Sequence, residues 1–255
     1  MNRVERIMKM VDHSLLSPAL TDQQLIEGCV IAEKYHVASV CVKPYHVKQA
    51  AICLEKSDVL VGGVIGFPHG NSTIEIKTDE TAQIISDGAV EVDMVVNIGK
   101  VLSEDWAYVT EEILSLRKMT KGHNAILKVI FENDLLPEDW FKVKLCEICS
   151  NVGVDFVKTS TGYNYVKEPD GRYNYQGATM HDLALMLKHT SKDVQVKAAG
   201  HSGAFDIVLK LQEMGVTRTG TGQTAQLYKE AVAYFGETLP DFFDNEQSAS
   251  QVNNY

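Results

Sequence analysis

An α/β chain closed into a barrel is the fold class this sequence predicts, and two observations predict it. Short β-branched runs alternate eight times with amphipathic helical stretches, the rhythm of a parallel sheet covered by helices. Within several runs the charged residues fall on one face and the aliphatic ones on the other, so a helix-covered outside leaves a polar inside. Eight such strands favour a closed (β/α)8 TIM barrel over an open doubly wound sheet. The 255 residues, 45% hydrophobic and 23% charged, suit a single barrel domain over 1–236. The C-terminal tail over 237–255, which ends in the apolar-poor DNEQSASQVNNY (244–255), reads as mobile.

In chain order, DHSLL (12–16) is the first and a weak strand. TDQQLIEGCVIAEKYH follows, with Leu25, Cys29 and Ala32 at helical spacing. ASVCVKP (38–44) and VLVGGVIGF (59–67) are the second and third strands. In AVEVDMVVN (89–97), Val90, Val92, Met94 and Val96 share one face, while Glu91, Asp93 and Asn97 take the other. AILKVIFE (125–132) sets Leu127, Val129 and Phe131 against Lys128 and Glu132. VDFVKTS (154–160) writes Lys158 directly after an apolar run. YNYVKEPDGRYNYQ (163–176) then breaks the rhythm, being longer than most strand-to-helix loops and carrying four tyrosines and a Pro-Asp-Gly turn. It reads as a lid or specificity element, or as a plain surface excursion. VQVKAAG (194–200) sends Lys197 away from Val194, Val196 and Ala198. AFDIVLKLQEM is helical up to Gly215, and VTRTGTG (216–222) is the last and another weak strand.

The formal charge of −10 leaves no basic footprint, which argues against nucleic acid or an anionic membrane as partner and for small molecules. The N-terminal MNRVERIMKMVDHSLL has no continuous apolar core of a secretory signal, and VLVGGVIGF is too short to span a bilayer. A cytoplasmic protein is the expectation. Five cysteines without framework spacing fit reduced thiols, and Cys146 and Cys149 form a C-x-x-C inside a helical pattern, where core thiols are expected. Eight histidines form no H-x-H or H-x-x-x-H pair on a strand or helix, so no metal site is expected.

The polar strand faces send Glu91, Asp93, Lys128, Glu132, Lys158 and Lys197 toward the barrel interior. A satisfied ion network would account for them structurally. Most barrels, however, fill that space with branched aliphatics, and Lys158 and Lys197 each end a strand at the face where barrel enzymes work. A half-desolvated amine beside a second ammonium loses its proton more readily and becomes a nucleophile. That suits Schiff-base formation with a carbonyl, with Asp93 as acid/base. Parity leaves open which lysine attacks.

DHSLL, CVKPYHV, IGFPHG, EVDMVVNIG, LKVIFE, FVKTSTG, GAT and VKAAG stand in the order and at roughly the spacing of the deoxyribose-phosphate aldolases, and the resemblance runs from about residue 10 to 235. It implies a class I aldolase that cleaves 2-deoxyribose 5-phosphate to glyceraldehyde 3-phosphate and acetaldehyde, with no metal or other cofactor. By resemblance Lys158 forms the Schiff base, Lys197 activates it, and Asp93 relays protons. Asp12, Ser14 and Cys41 match positions lining the substrate pocket. Thr159, Gly200, His201, Gly220, Thr221 and Gly222 fall in motifs expected to bind substrate. The implied partners are aldehyde and sugar-phosphate substrates and, as in many related aldolases, a second copy in a homodimer.

Three departures stand out. His201, then Ser202-Gly203, replaces a second glycine after VKAAG; Gly220-Thr221-Gly222 replaces G-T-S; and the loop at 163–176 is longer than the family's. Two of these fall at the fold's usual phosphate site. Either the backbone N–H groups still serve the phosphate, or the pocket accepts a non-phosphorylated or differently charged aldol. A non-catalytic sugar-phosphate-binding barrel is a further alternative, against which Lys158, Lys197 and Asp93 argue together.

Overall fold

The computed structural model describes residues 1–239; positions 240–255, most of the expected tail, lie outside the described residues. Eight parallel strands close a barrel: β1 (Val11–Leu15), β2 (Ser39–Val42), β3 (Leu60–Ile65), β4 (Glu91–Val95), β5 (Ile126–Ile130), β6 (Phe156–Lys158), β9 (Gln195–Ala199) and β10 (Arg218–Thr221). Each strand pairs with the next in sequence around the ring, except that β6 pairs directly with β9, and β10 closes onto β1. The intervening β7 (Val166–Lys167) and β8 (Tyr173–Asn174) form a separate antiparallel hairpin inside the long 163–176 segment.

The helices are α1 (Arg3–Met8), α2 (Asp22–Lys34), α3 (Val47–Cys53), α4 (Ile74–Ser86), α5 (Ile98–Leu102), α6 (Trp106–Gly122), α7 (Asp139–Val152), α8 (Met180–His189), α9 (Phe205–Met214) and α10 (Thr224–Phe235). Local chemistry sets their starts. Thr21 and Gln24 form a capping box on α2, and Thr73, Asn97, Asp105 and Thr179 accept backbone N–H bonds at the starts of α4, α5, α6 and α8. Gly153, Gly215 and Gly236 end α7, α9 and α10 in the left-handed conformation that glycine tolerates. The aliphatic strand faces pack outward against the helices: Val92, Met94, Leu127, Val129 and Val196 join α-helical residues such as Ile84, Leu116 and Leu145 in one buried core. Cys146 and Cys149 lie in that core, where burial pushes both thiols up, Cys146 to about 12.

Two expectations need correcting in detail, and one helix was not read from the sequence. The strands are mostly shorter than the runs that announced them. The chain also begins with a helix: Asn2 caps α1 through a capping box with Glu5, and Val4, Ile7 and Met8 are buried. Its start is tied to the residues just after α10, with Arg3 Nε 2.9 Å from Glu237 Oε1 and Asn2 Nδ2 2.6 Å from Thr238 O. Finally, Glu132 does not join the interior charges. β5 ends at Ile130, and Glu132 has φ +58, so strand alternation has stopped before it.

Candidate active site

The interior of the barrel is a buried ionic lattice. Register puts Asp93 opposite Lys128 on β4 and β5, and Lys158, Lys197 and Arg218 in a row across β6, β9 and β10. Lys128 Nζ lies 2.7 Å from Asp12 Oδ2 and 2.5 Å from Glu91 Oε2. Arg218 bonds Asp12, and its Nη2 is 2.9 Å from Glu91 Oε1. Lys197 Nζ reaches Asp12 Oδ2 at 2.5 Å and Asp93 Oδ2 at 2.7 Å. Lys158 Nζ has one carboxylate, Asp93 Oδ2, at 2.8 Å.

The cluster therefore joins four cations (Lys128, Lys158, Lys197, Arg218) to three carboxylates (Asp12, Glu91, Asp93), nearly all of it out of water. One positive charge is in excess, and a buried excess charge is costly. Lys158, with a single carboxylate neighbour, is the group best placed to shed a proton. Burial lowers its pKa, Asp93 opposes the shift, and the Lys197 ammonium adds to it. Lys197 goes the other way: burial would lower it, but Asp12 and Asp93 hold it well above the ordinary lysine value. Asp12 and Asp93 are pushed up by burial, yet the surrounding cations keep both well below the usual carboxylate range.

Above this lattice opens a cavity of about 540 Å³. Ser14 and Leu16 line it from the end of β1, Lys158 from β6, Thr161–Tyr163 from the following loop, and residues 199–204 and 220–223 from the ends of β9 and β10. Lys158 lines it and Lys197 does not. Two helices begin at its wall. Ala204 precedes α9 and Gln223 precedes α10, and neither start has a side-chain cap. Uncapped helix starts present free N–H groups and a partial positive charge, a setting that favours an anion.

Of the residues expected in the site, Lys158, Ser14, Gly200, His201, Gly220, Thr221 and Gly222 line this cavity. Asp93 and Lys197 lie beneath it in contact with Lys158 or its partner. Asp12, Cys41 and Thr159 do not line it. Asp12 is fully buried, accepts from Ser39 Oγ at 2.7 Å and anchors the cations; Cys41 Sγ is 3.9 Å from Asp93 Oδ2; Thr159 Oγ1 bonds the backbone of Ala199 at 3.0 Å. Glu132 instead accepts Thr161 N–H, the Thr161 hydroxyl and Asn164 Nδ2, and so fixes the turn that carries Tyr163. Burial raises its carboxyl pKa, and these hydrogen bonds only partly offset that. Arg218 was not anticipated. Its signal was parity in VTRTGTG, where Arg218 shares a face with Gly220 and Gly222, but with Val216 as its single aliphatic, at the same parity as Arg218, the run shows no readable apolar side.

Away from the cavity, Asp139, His181 and Asp182 bring three potential metal-ligand atoms within 4.8 Å of one another. Lys142 Nζ lies 2.6 Å from Asp182 Oδ1 and 3.2 Å from Asp139 Oδ1, and His181 Nε2 lies 2.7 Å from Asp139 Oδ2, so the ammonium already pairs with both carboxylates and offsets one of their two charges.

The sequence profile of the DeoC/LacD family aldolases matches residues 6–213. A deoxyribose-phosphate aldolase of Rhodopirellula baltica is 44% identical over 230 residues, covering 90% of this chain and 91% of that protein. One from Clostridium tetani is 39% identical, covering 88% and 99%. Among solved structures, a tetrameric deoxyribose phosphate aldolase from Aeropyrum pernix superposes with a TM-score of 0.79 at 25% identity, covering 90% of this chain and 92% of that one.

Proposed function

This chain belongs to the DeoC/LacD family of aldolases, carbon–carbon lyases on a (β/α)8 barrel, and we propose that it cleaves 2-deoxyribose 5-phosphate through a Schiff base on Lys158. One observation carries the assignment of the lysine. Of the two lysines only Lys158, which ends β6, opens into the cavity, whereas Lys197, expected at a strand end, sits mid-strand in β9; Lys158 is also the cation of the lattice with a single carboxylate partner, so its neutral form removes the excess charge at least cost.

The steps follow from that arrangement. The neutral Lys158 amine adds to the C1 aldehyde of the open-chain sugar, and the carbinolamine loses water to give a protonated imine. Asp93, 2.8 Å from Nζ, is positioned to take the proton that the nitrogen sheds and to stabilise the cation that results. The C3 hydroxyl proton passes to the Asp93 relay as the C2–C3 bond breaks, the bond's electron pair flows into the imine, and the same proton is later returned to C2 of the enamine. Glyceraldehyde 3-phosphate departs, leaving an enamine on Lys158. Protonation at C2 and addition of water then release acetaldehyde and restore the amine. Lys197 forms no bond to substrate in this scheme. It keeps Asp93 ionised and disfavours a proton on Lys158.

The phosphate belongs at the other end of the cavity, against residues 200–204 and 220–223 and the uncapped starts of α9 and α10. His201 supplies a backbone N–H as glycine would. Relatives named deoxyribose-phosphate aldolase support the same substrate class.

Borohydride reduction during incubation with acetaldehyde tests the covalent step: an N-ethyl group is expected on the lysine of the peptide FVKTSTGY. An adduct on Lys197 alone would overturn the assignment. Kinetics on deoxyribose 5-phosphate and deoxyribose, run side by side, test the phosphate. Equal kcat/KM for the two would favour a non-phosphorylated aldol instead.

A further inference from the structure

We propose that Tyr175 is a positioning residue that holds Gly200 and His201 in place at the phosphate end of the cavity, so that the 163–176 excursion sets the preference for a phosphorylated aldol. The inference rests on the phosphate reading given above and goes beyond it by naming what maintains that end of the site.

Gly200 and His201 are consecutive left-handed residues, with φ of +84 and +53. Glycine adopts that conformation freely, whereas histidine does so at a cost and needs support from its surroundings. The support comes from the hairpin side. The Tyr175 hydroxyl occupies the space a side chain on Gly200 would need, 1.9 Å from where a Cβ would stand, and the Gly177 Cα is 2.9 Å from that same point. Ala178 N–H donates to Gly200 O at 3.1 Å. The Tyr175 ring meets the His201 ring edge to face, with centroids 5.1 Å apart.

Tyr175 is itself fixed from two directions. Tyr165 packs against it at 5.7 Å, and the Asp134 carboxylate accepts Gln176 N–H at 2.7 Å and Gly177 N–H at 2.9 Å. The hairpin of β7 and β8 thus delivers one aromatic side chain onto the two residues whose backbone turns into the cavity. The Tyr175 hydroxyl is buried and has the Ser160 hydroxyl as a polar neighbour but no well-formed hydrogen bond among the described residues, so the contact works mainly by shape and ring packing.

The test compares wild type, Tyr175→Ala and Tyr175→Phe on deoxyribose 5-phosphate and deoxyribose, with inorganic phosphate as a competitive inhibitor of deoxyribose cleavage. Tyr175→Ala should raise KM for the phosphorylated sugar and Ki for phosphate by about tenfold or more, while kcat on either sugar moves less than about threefold. Tyr175→Phe should restore both constants. Should Tyr175→Ala not fold, Tyr175→Leu, which keeps bulk but not the ring on His201, carries the same expectation. A wild-type preference for the phosphorylated sugar that survives in the Ala or Leu variant overturns the inference and leaves the phosphate reading standing. So does an equal loss of kcat on both sugars, which would mark a structural role only. A wild type with no preference overturns the phosphate reading, and the inference with it.

Discussion

Lys158 and Lys197 are the same residue type on neighbouring strands in register, yet their surroundings drive their pKa values apart. Lys197 touches two carboxylates and Lys158 one, and that difference assigns the roles that strand parity left open. It also yields a pair of opposed expectations. Attack needs the neutral amine, so kcat/KM rises with pH through the Lys158 pKa. Lys197→Met removes the like charge and leaves Asp93, so that pKa rises, the acid limb moves to higher pH, and at least about tenfold of activity is lost at neutral pH and recovered on alkalinisation. Asp93→Asn removes the group that favours the ammonium, so the acid limb moves to lower pH while kcat falls about 10²-fold or more for want of a relay. A pH–rate profile of each variant decides the matter; limbs that stay put in both would refute this account of Lys158. Lys158→Arg should be inactive, because a guanidinium keeps its proton.

At the level of elements, most of the barrel strands were legible because they write β-branched runs, β4, β5 and β9 also showed their inner face through charge, and the weakly written β1 and β10 were read from the βα rhythm. The hairpin was not, since two-residue strands carry no alternation to read. Nor was the pair that clamps α4 to α6. Lys77 and Glu112 are fully buried 2.6 Å apart, Lys77 also donates to Gly70 O and Val95 O, and Glu112 accepts Asn97 N–H. Each charge sits on the buried face of its helix, which in sequence looks like a break in an apolar stripe. Burial drives both toward neutrality, lowering the lysine and raising the glutamate, and each opposes the shift in the other. Removing one partner strands the second charge, so Lys77→Met and Glu112→Gln should each cost about 3–5 kcal/mol. The double variant should cost less than the sum by about 1–3 kcal/mol. Urea denaturation of the three variants measures this, and strict additivity would show that the charges do not act as a pair.

For the molecule as a whole, the same lattice that prepares Lys158 also ties β1, β4, β5, β6, β9 and β10 together across the barrel, and this couples stability to acid. Asp12 and Asp93 have folded pKa values well below ordinary, whereas in the unfolded chain they return to about 3.9. Above roughly pH 4 both are ionised in either state, and their contribution is complete. Below it the unfolded chain binds protons that the folded one refuses, so each group removes stability at about 1.4 kcal/mol per pH unit, or roughly 2.7 for the two. Glu112 and Glu132 have the opposite sign: with raised folded values they bind protons first in the folded state, so falling pH favours the fold until about pH 4.3, where the unfolded glutamates titrate. The loss should therefore begin sharply below about pH 4. Asp12→Asn takes one group out of the balance. It should be less stable at neutral pH, where Lys128, Lys197 and Arg218 lose a shared partner, and its acid slope should be shallower by about 1.4 kcal/mol per pH unit. Urea unfolding of both proteins between pH 3 and 6 gives the two slopes, and an Asp12→Asn slope equal to that of the wild type would mean that the lattice is not what acid dismantles.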